Sequence, residues 1–203
     1  MGLFDFLKPN TAPKPHKLKW EIPEARMTAP VEEIEKTIAA IEKSKAKFKS
    51  GGEFNDIIHV KEYGPGVYAY FIVRTAKKSE KETIVFDGYM LREDDHLGFE
   101  VQSRFSISED LEKIGYQPAF EREVTEWRFV YLGLKINAYK IKGVGNFIEV
   151  CLPATKIEKT RKLNEETAKK FFKMLGINEK EIIPTDVITL QLTAMLEQSQ
   201  KKR

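Results

Sequence analysis

The feature that most constrains this chain is a succession of short segments in which apolar and polar residues alternate, separated by glycine turns. Gly64-Pro65-Gly66 and Gly143-Val144-Gly145 are the clearest of these turns. A period of two is typical of β-strands, and turns of this length join antiparallel neighbours. Eight strands are predicted on this basis, at residues 18–26, 55–62, 67–75, 83–91, 98–105, 121–132, 135–142 and 146–152.

Four segments with helical features interrupt the strands, at residues 30–49, 108–114, 164–175 and 185–200. The first has Pro30 at its predicted first position and Gly51-Gly52 as its predicted end. Eight antiparallel strands in one sheet must either leave two edges exposed or close on themselves. We therefore expect an α+β fold in which the eight strands form a closed antiparallel β-barrel flanked by helices, a single domain over residues 18–200.

Residues 1–17 differ from the rest of the chain. Leu3, Phe4, Phe6 and Leu7 form a short apolar tip, and three prolines between positions 9 and 15 forbid a helix and favour an extended linker. This composition predicts a flexible arm whose tip docks on a protein partner or a membrane surface. The alternative is a frayed terminus that rests on its own domain.

Composition excludes several classes of protein. Charged residues make up 32% of the 203 residues, but the net charge is only +3, so the surface is mixed and nucleic-acid binding, which needs a basic patch, is not favoured. The one cysteine, Cys151, permits no disulfide within the chain, which fits a reducing compartment, and we expect the cytoplasm. No apolar run approaches the roughly 20 residues of a transmembrane helix.

Charged or polar residues recur at two-residue spacing within several predicted strands. They are Glu24 with Arg26, Glu100 with Gln102 and Arg104, Glu126 with Arg128, and Glu149 with Cys151. Because residues i and i+2 share one face of a strand, these side chains are predicted to lie opposite the bulky apolar residues that pack against the helices. The polar face is then either an ordinary solvated surface or the lining of a wet interior.

The segment Gly143-Val144-Gly145-Asn146-Phe147-Ile148-Glu149-Val150 resembles the signature of the CYTH (triphosphate tunnel) family, in which Gly-Leu-Gly precedes a spaced Phe and then Glu-x-Glu. Three flanking features are similar to the family as well: a short helix ending in Ile114-Gly115-Tyr116, Arg128 followed by Tyr131, and a closing helix through residues 171–177. The resemblance covers about residues 108–195, and element order extends it towards residue 18.

The resemblance implies an eight-stranded antiparallel tunnel that binds triphosphate groups with inward Arg and Lys and a divalent metal, Mg²⁺ or Mn²⁺, with inward Glu. Members of the family hydrolyse triphosphates or cyclise ATP. Carried over to this sequence, the pattern implies that Arg26, Arg74 and Arg128 bind phosphate. It implies in the same way that Glu24, Glu100 and Glu149 hold the metal.

The sequence also departs from the family pattern. Ile22, Gln102, Tyr139 and Cys151 stand where the family has acids, and Asp87 and Glu126 stand where it has lysines. Like charges in a poorly solvated interior weaken triphosphate binding. Two hypotheses follow: a phosphate-binding protein, if active a metal-dependent triphosphatase or nucleotide cyclase, or a catalytically inactive scaffold or partner-binding module with an internally ion-paired barrel.

Cys151 is not favoured as a nucleophile. A cysteine nucleophile needs a nearby base, and the three histidines, His16, His59 and His96, are predicted to lie on the arm, a strand and a loop. We interpret Cys151 as a small, partly buried thiol.

Overall fold

The computed structural model describes residues 25–64, 67–77, 82–90, 93–102, 107–153 and 155–201. For residues 63, 67, 68, 82, 84–90, 93–102, 196 and 198–201 it describes the backbone alone. The strands are β1 (Ala25–Val31), β2 (Lys47–Gly64), β3 (Val67–Ala76), β4 (Glu82–Met90), β5 (Glu93–Gln102), β6 (Gln117–Tyr131), β7 (Leu134–Ile141) and β8 (Gly145–Leu152). The helices are α1 (Ile34–Lys43), α2 (Ile107–Lys113), α3 (Glu158–Met174) and α4 (Val187–Lys201), with a 3₁₀ turn at Glu179–Glu181. The predicted arm, residues 1–17, lies outside the described residues.

The eight strands form one antiparallel sheet, but the expectation of a closed barrel is wrong. The strand order is β1-β8-β7-β6-β2-β3-β4-β5, so β1 and β5 are the two edges, and no ladder joins them within the described residues. Cα atoms of the two edge strands nevertheless approach within 8 Å, so the sheet is strongly curved. One of its faces is therefore concave.

The outer edge of β1 shows why a further ladder does not form there. Thr28 exchanges two backbone hydrogen bonds with Ile183, at 2.8 and 2.7 Å, on the side of β1 that faces away from β8. Two residues further on, Pro30 has no N–H to donate on that side. The segment that leads into α4 thus occupies part of this edge, and the proline blunts the rest.

The helix predicted over residues 30–49 is wrong at both ends. β1 continues through Pro30 to Val31, where Val31 pairs with Asn146, and α1 spans only Ile34–Lys43. Pro30 is accommodated because β1 is an edge strand, so its missing N–H disrupts no ladder.

Gly51 and Gly52 lie inside β2 and do not end a helix. A Cβ at Gly51 would lie 2.9 Å from the backbone oxygen of Glu126 on β6. The glycine therefore permits the close approach of the two strands, a tertiary requirement. The long strand β2 pairs with both β6 and β3 and so joins the two halves of the sheet.

The convex side of the sheet, called the outer face below, carries the main apolar core. Alternate residues of β1, β6, β7 and β8 pack there against α1 and α3, as predicted for the bulky face. Phe129, Ile136, Ile148, Phe171 and Phe172 are fully or almost fully buried in this cluster. On β2 and β3 the same face is covered by α2, through Ile107 and Leu111.

Helix α4 lies on the opposite, concave side, called the inner face. Ile188 and Leu192 of α4 pack with Ile58, Tyr70 and Ile72 of β2 and β3. The final helix therefore covers part of the face that carries the polar residues. Among the helices of the described residues, none is long and apolar enough to cross a membrane.

Candidate functional site

The inner face is built from alternate residues of β1, β2, β3, β6, β7 and β8. One row across the sheet, read from the cross-strand pairs, consists of Ser50, Arg128, Asn137, Glu149 and Thr28. The strand period of two places these polar residues side by side, while their chain neighbours point into the outer core. The predicted common polar face therefore exists for these strands.

Asp56 is a fully buried carboxylate of this face. Arg74 binds it through two hydrogen bonds, Nε to Oδ1 at 2.7 Å and Nη2 to Oδ2 at 2.9 Å. Arg122 donates a third from Nε to Oδ2 at 3.0 Å. The strand register explains why these three side chains are in contact, because Asp56 lies opposite Arg74 on β3 and opposite Arg122 on β6.

Glu126 joins Arg74 to Arg128. One carboxylate oxygen accepts from Nη1 of Arg74, and the other accepts from Nε of Arg128 at 2.7 Å. The guanidinium of Arg74 also lies 4.4 Å from the ring centre of Phe54, close enough for a cation–π contact. Arg122, Asp56, Arg74, Glu126 and Arg128 thus form one continuous ion-pair network across β2, β3 and β6.

The pKa values in this network are set by a competition between burial and opposite charge. Burial by itself would raise the pKa of Asp56 and of Glu126, but the neighbouring guanidinium groups outweigh it and hold both pKa values below their ordinary range. Burial would lower the pKa of Arg74, and the two carboxylates instead raise it. All three groups are therefore charged at neutral pH.

Glu149 is the centre of a second cluster. Its Oε1 accepts from Arg26 at 3.1 Å, from Asn137 at 3.1 Å and from Tyr139 at 3.3 Å, with the thiol of Cys151 at 3.8 Å. Its Oε2 accepts from the backbone N–H of Val187, the first residue of α4, at 3.3 Å. The side chain is 1% exposed. Glu149 therefore ties β1, β7, β8 and α4 together.

Tyr139 links the two clusters. It lies opposite Glu126 on the neighbouring strand, and its hydroxyl donates to Glu149. Burial raises the pKa of Tyr139 well above its ordinary value, and the charges of Glu149 and Glu126 raise it further. The phenol therefore stays protonated and acts as a hydrogen-bond donor.

The structure brings together the three arginines that the sequence singled out. Arg74 and Arg128 share Glu126. Arg26 binds Glu149, which also accepts from Tyr139, the cross-strand neighbour of Glu126. Their role in phosphate binding stays a prediction. Of the three predicted metal ligands, Glu149 lies in this cluster, Glu24 lies outside the described residues, and Glu100 is a β5 position opposite Val85 for which only the backbone is described.

Sequence reasoning missed Asp56, Arg122 and Gln191. Asp56 precedes two isoleucines within a strand, which resembles an ordinary exposed polar position at a strand's start. Arg122 stands between two glutamates and has the same appearance. The one sequence feature that could have indicated a buried Arg122 is the strand alternation on β6. It places Arg122, Val124, Glu126 and Arg128 on one face.

The donor set around Glu149 does not fit a metal ligand. Both of its oxygens already accept hydrogen bonds, and a cation would have to displace Arg26 or the N–H of Val187. Within the part of the chain that the structure describes, no three His, Cys, Asp or Glu side chains are grouped as a metal site would require. The involvement of Glu24 and Glu100 remains a prediction.

Helix α4 covers one end of the polar network. Gln191 accepts from Arg122 Nη1 at 3.0 Å, and Val187 packs with Val124, Tyr139 and Ile141. Asp186 holds the start of the helix by accepting from the N–H of Thr189 at 2.8 Å and from Tyr70 at 3.0 Å. The network is therefore enclosed on this side by the chain's own C-terminal helix.

No protein-family model and no curated protein sequence matches this chain. Solved structures do resemble it. They include a candidate adenylate cyclase from Vibrio parahaemolyticus, with a TM-score of 0.66 and 13% identity over 83% of this chain and 97% of that one. A conserved hypothetical protein from Pyrococcus furiosus has a TM-score of 0.65 and 16% identity over 82% and 99%. A Pyrococcus horikoshii protein has a TM-score of 0.63 and 20% identity over 82% and 98%.

These similarities confirm a CYTH-like domain at the level of the fold. Nearly the whole length of each similar structure is matched, together with 82–83% of this chain. At identities of 20% and below, it establishes the fold alone.

Proposed function

We propose that this CYTH-like chain binds the phosphate groups of a phosphorylated small molecule, a triphosphate or a nucleotide, on the inner face of its sheet. The observation that carries the proposal is the convergence of Arg26, Arg74 and Arg128 from three different strands on one concave face. Guanidinium groups bind phosphate through paired N–H donors, and several of them are needed to offset the charge of a triphosphate.

The three arginines differ in what they contribute. The side chain of Arg128 is 36% exposed, whereas those of Arg74 and Arg26 are 7% and 8% exposed. Arg128 is therefore placed to meet a ligand first. Arg74 holds Glu126, and Glu126 in turn orients Arg128 through the 2.7 Å bond from Nε. Arg74 thus acts in this proposal by positioning Arg128.

A phosphate group binds by exchange with the existing partner. It accepts hydrogen bonds from Arg128 in place of Glu126, and Glu126 keeps its bond to Arg74. The carboxylate therefore stays compensated while the phosphate is bound, which avoids leaving a buried charge unpaired. Arg26 reaches the same ligand from the other side of the row, next to Glu149.

Binding of tripolyphosphate and ATP, measured by isothermal titration calorimetry with EDTA and separately with Mg²⁺ or Mn²⁺, tests the proposal. We expect binding by the wild type and a Kd raised about tenfold in Arg128→Gln, since a charge-assisted hydrogen bond contributes about 1.5 kcal/mol or more. Arg161→Gln is the matched control, because Arg161 lies on α3 and pairs with exposed Glu165 at 3.8 Å. Absence of binding by the wild type at millimolar ligand would refute the proposal.

A second candidate function is a catalytically inactive module that binds a partner. The saturation of Glu149 by five donors and the cover provided by α4 favour it. Release of inorganic phosphate from tripolyphosphate or ATP distinguishes an enzyme from this module. Binding without release supports a phosphate-binding protein without hydrolase activity, whereas neither binding nor release supports the module. Partner binding through residues 1–17 and a cytoplasmic location stay predictions.

A further inference from the structure

Within the described residues, the two ends of the inner face differ in what covers them. At the end formed by Ile58, Ile72 and Ile141, side chains of α4 cover the sheet. The opposite end is the row in which Val130 of β6 has Lys47 of β2 on one side and Lys135 of β7 on the other. This row, continued by Cys151 and Arg26, is called the rim below.

The side chains flanking the rim lysines show which way the lysines face. Leu134 and Ile136, on either side of Lys135, are both buried in the outer core. Phe48, next to Lys47, meets the outer-face ring of Phe129 edge-on with centroids 5.5 Å apart. Strand alternation therefore puts Lys47 and Lys135 on the inner side, and both are exposed.

The rim lysines lie one row of the sheet away from Arg128. In the next row of the sheet, Arg128 is flanked by Ser50 and Asn137, and it is the most exposed guanidinium of the network. Lys47 and Lys135 are two strand spacings apart, so their Cα atoms are about 10 Å apart, a span that two long side chains can bridge around one phosphate group.

We propose that Lys47 and Lys135 form the first subsite for the phosphate groups of the ligand, which enters the inner face at the rim and meets Arg128 next. This inference rests on the proposed phosphate binding and adds the direction of access and two binding residues. The ammonium groups attract the ligand and hold its outermost phosphate, while Arg128 and Arg26 bind the phosphate that reaches further in.

Calorimetric titration of the full chain with tripolyphosphate in EDTA tests the subsite with a double variant, Lys47→Gln with Lys135→Gln. The matched control is Lys140→Gln with Lys162→Gln, which removes the same net charge from the outer side, where these lysines pair with Glu35 and Glu158. We expect Kd to rise about tenfold in the rim variant and less than twofold in the control. Lys135→Arg keeps the charge and should bind like the wild type.

The outcomes separate this inference from the proposed function. If the wild type binds, Arg128→Gln weakens binding and the rim variant binds like the wild type, the rim subsite is wrong and the proposed function stands. If the control variant weakens binding as much as the rim variant, only overall charge matters and the subsite is again wrong. If the wild type does not bind tripolyphosphate, both fail. Thermal unfolding without ligand should give the rim variant, Lys135→Arg and the control variant the melting temperature of the wild type, which shows that they fold.

Discussion

Replacing Asp56 by Asn tests whether the buried ion pairs hold the concave face together. The side chain of Asp56 is 0% exposed, and its partners Arg74 and Arg122 are 7% and 4% exposed. The amide keeps the shape of the carboxylate but removes its charge, which leaves two buried guanidinium groups sharing fewer acceptors. Breaking a buried pair in this way costs about 3–5 kcal/mol.

The structure narrows that range. Arg74 still has Glu126, and Arg122 still has Gln191, so we expect the lower end, about 3 kcal/mol, or a melting temperature lowered by about 6–12 °C for a chain of this length. Thermal unfolding followed by circular dichroism, together with urea unfolding, measures this loss of stability. Glu123→Gln is the control, because Glu123 lies on the same strand as Arg122 but pairs with exposed Lys142 and should leave the melting temperature unchanged.

A double variant decides whether the charges are coupled. Removing Arg122 as well, in Asp56→Asn with Arg122→Gln, restores part of the balance, so the combined loss should be smaller than the sum of the two single losses. Strictly additive losses would show that the two charges are not coupled. A melting temperature within about 2 °C of the wild type in Asp56→Asn would show that the network contributes little to stability.

Three further predictions concern packing and pH. Gly51→Ala should lower stability by about 1–3 kcal/mol in urea unfolding, because its Cβ would lie 2.9 Å from the Glu126 backbone oxygen, whereas Gly64→Ala, which has open space around it, should not. The pKa values of Asp56 and Glu126 are lowered in the folded state from ordinary values of 3.8 and 4.5, so the stability they contribute is present above about pH 4.5 and is lost as the pH falls through the folded-state values. The melting temperature measured from pH 6 to pH 2 should fall accordingly, and less steeply in Asp56→Asn; parallel curves would contradict this. Leu192→Ala should cost about 2–3 kcal/mol, since this residue of α4 is 8% exposed against the inner face; a loss below about 0.5 kcal/mol would show that α4 does not pack there.

Local patterns in the sequence predicted most of the strands and the separation of the two faces, but β1 and the first part of β2 were wrong. On β6, Trp127 and Phe129 alternate with Glu126 and Arg128, and the structure places them on opposite faces. The turn at Gly143 and Gly145 has φ values of 74° and 140°, where glycine has no steric penalty. Signals of this kind depend on adjacent residues, so a single sequence contains them.

The predictions were wrong where the role of a residue is set by its contacts with a distant part of the chain. Gly51 and Gly52 were interpreted as the end of a helix, yet Gly51 is small because β6 passes close to it. Pro30 was interpreted as the start of a helix, yet it lies on the edge strand, where no neighbour needs its N–H. Closure of the sheet was expected because eight strands could then satisfy all of each other's backbone hydrogen bonds. However, Ile183 occupies the edge of β1 at Thr28.

The candidate site shows the same division. Arg26, Arg74, Arg128 and Glu149 could be found because the strand period and a family resemblance mark them. Asp56 and its partner Arg122 could not, because their meeting depends on the register of β2 against β3 and β6.

By itself, the sequence determined where most of the strands lie and which of their faces is polar, since a period of two is a local property of the chain. Only the tertiary structure decided that the sheet stays open, that α4 lies against the concave face, and which carboxylate binds which arginine. Those outcomes depend on cross-strand register and on contacts between residues more than 100 positions apart, such as Arg26 with Glu149.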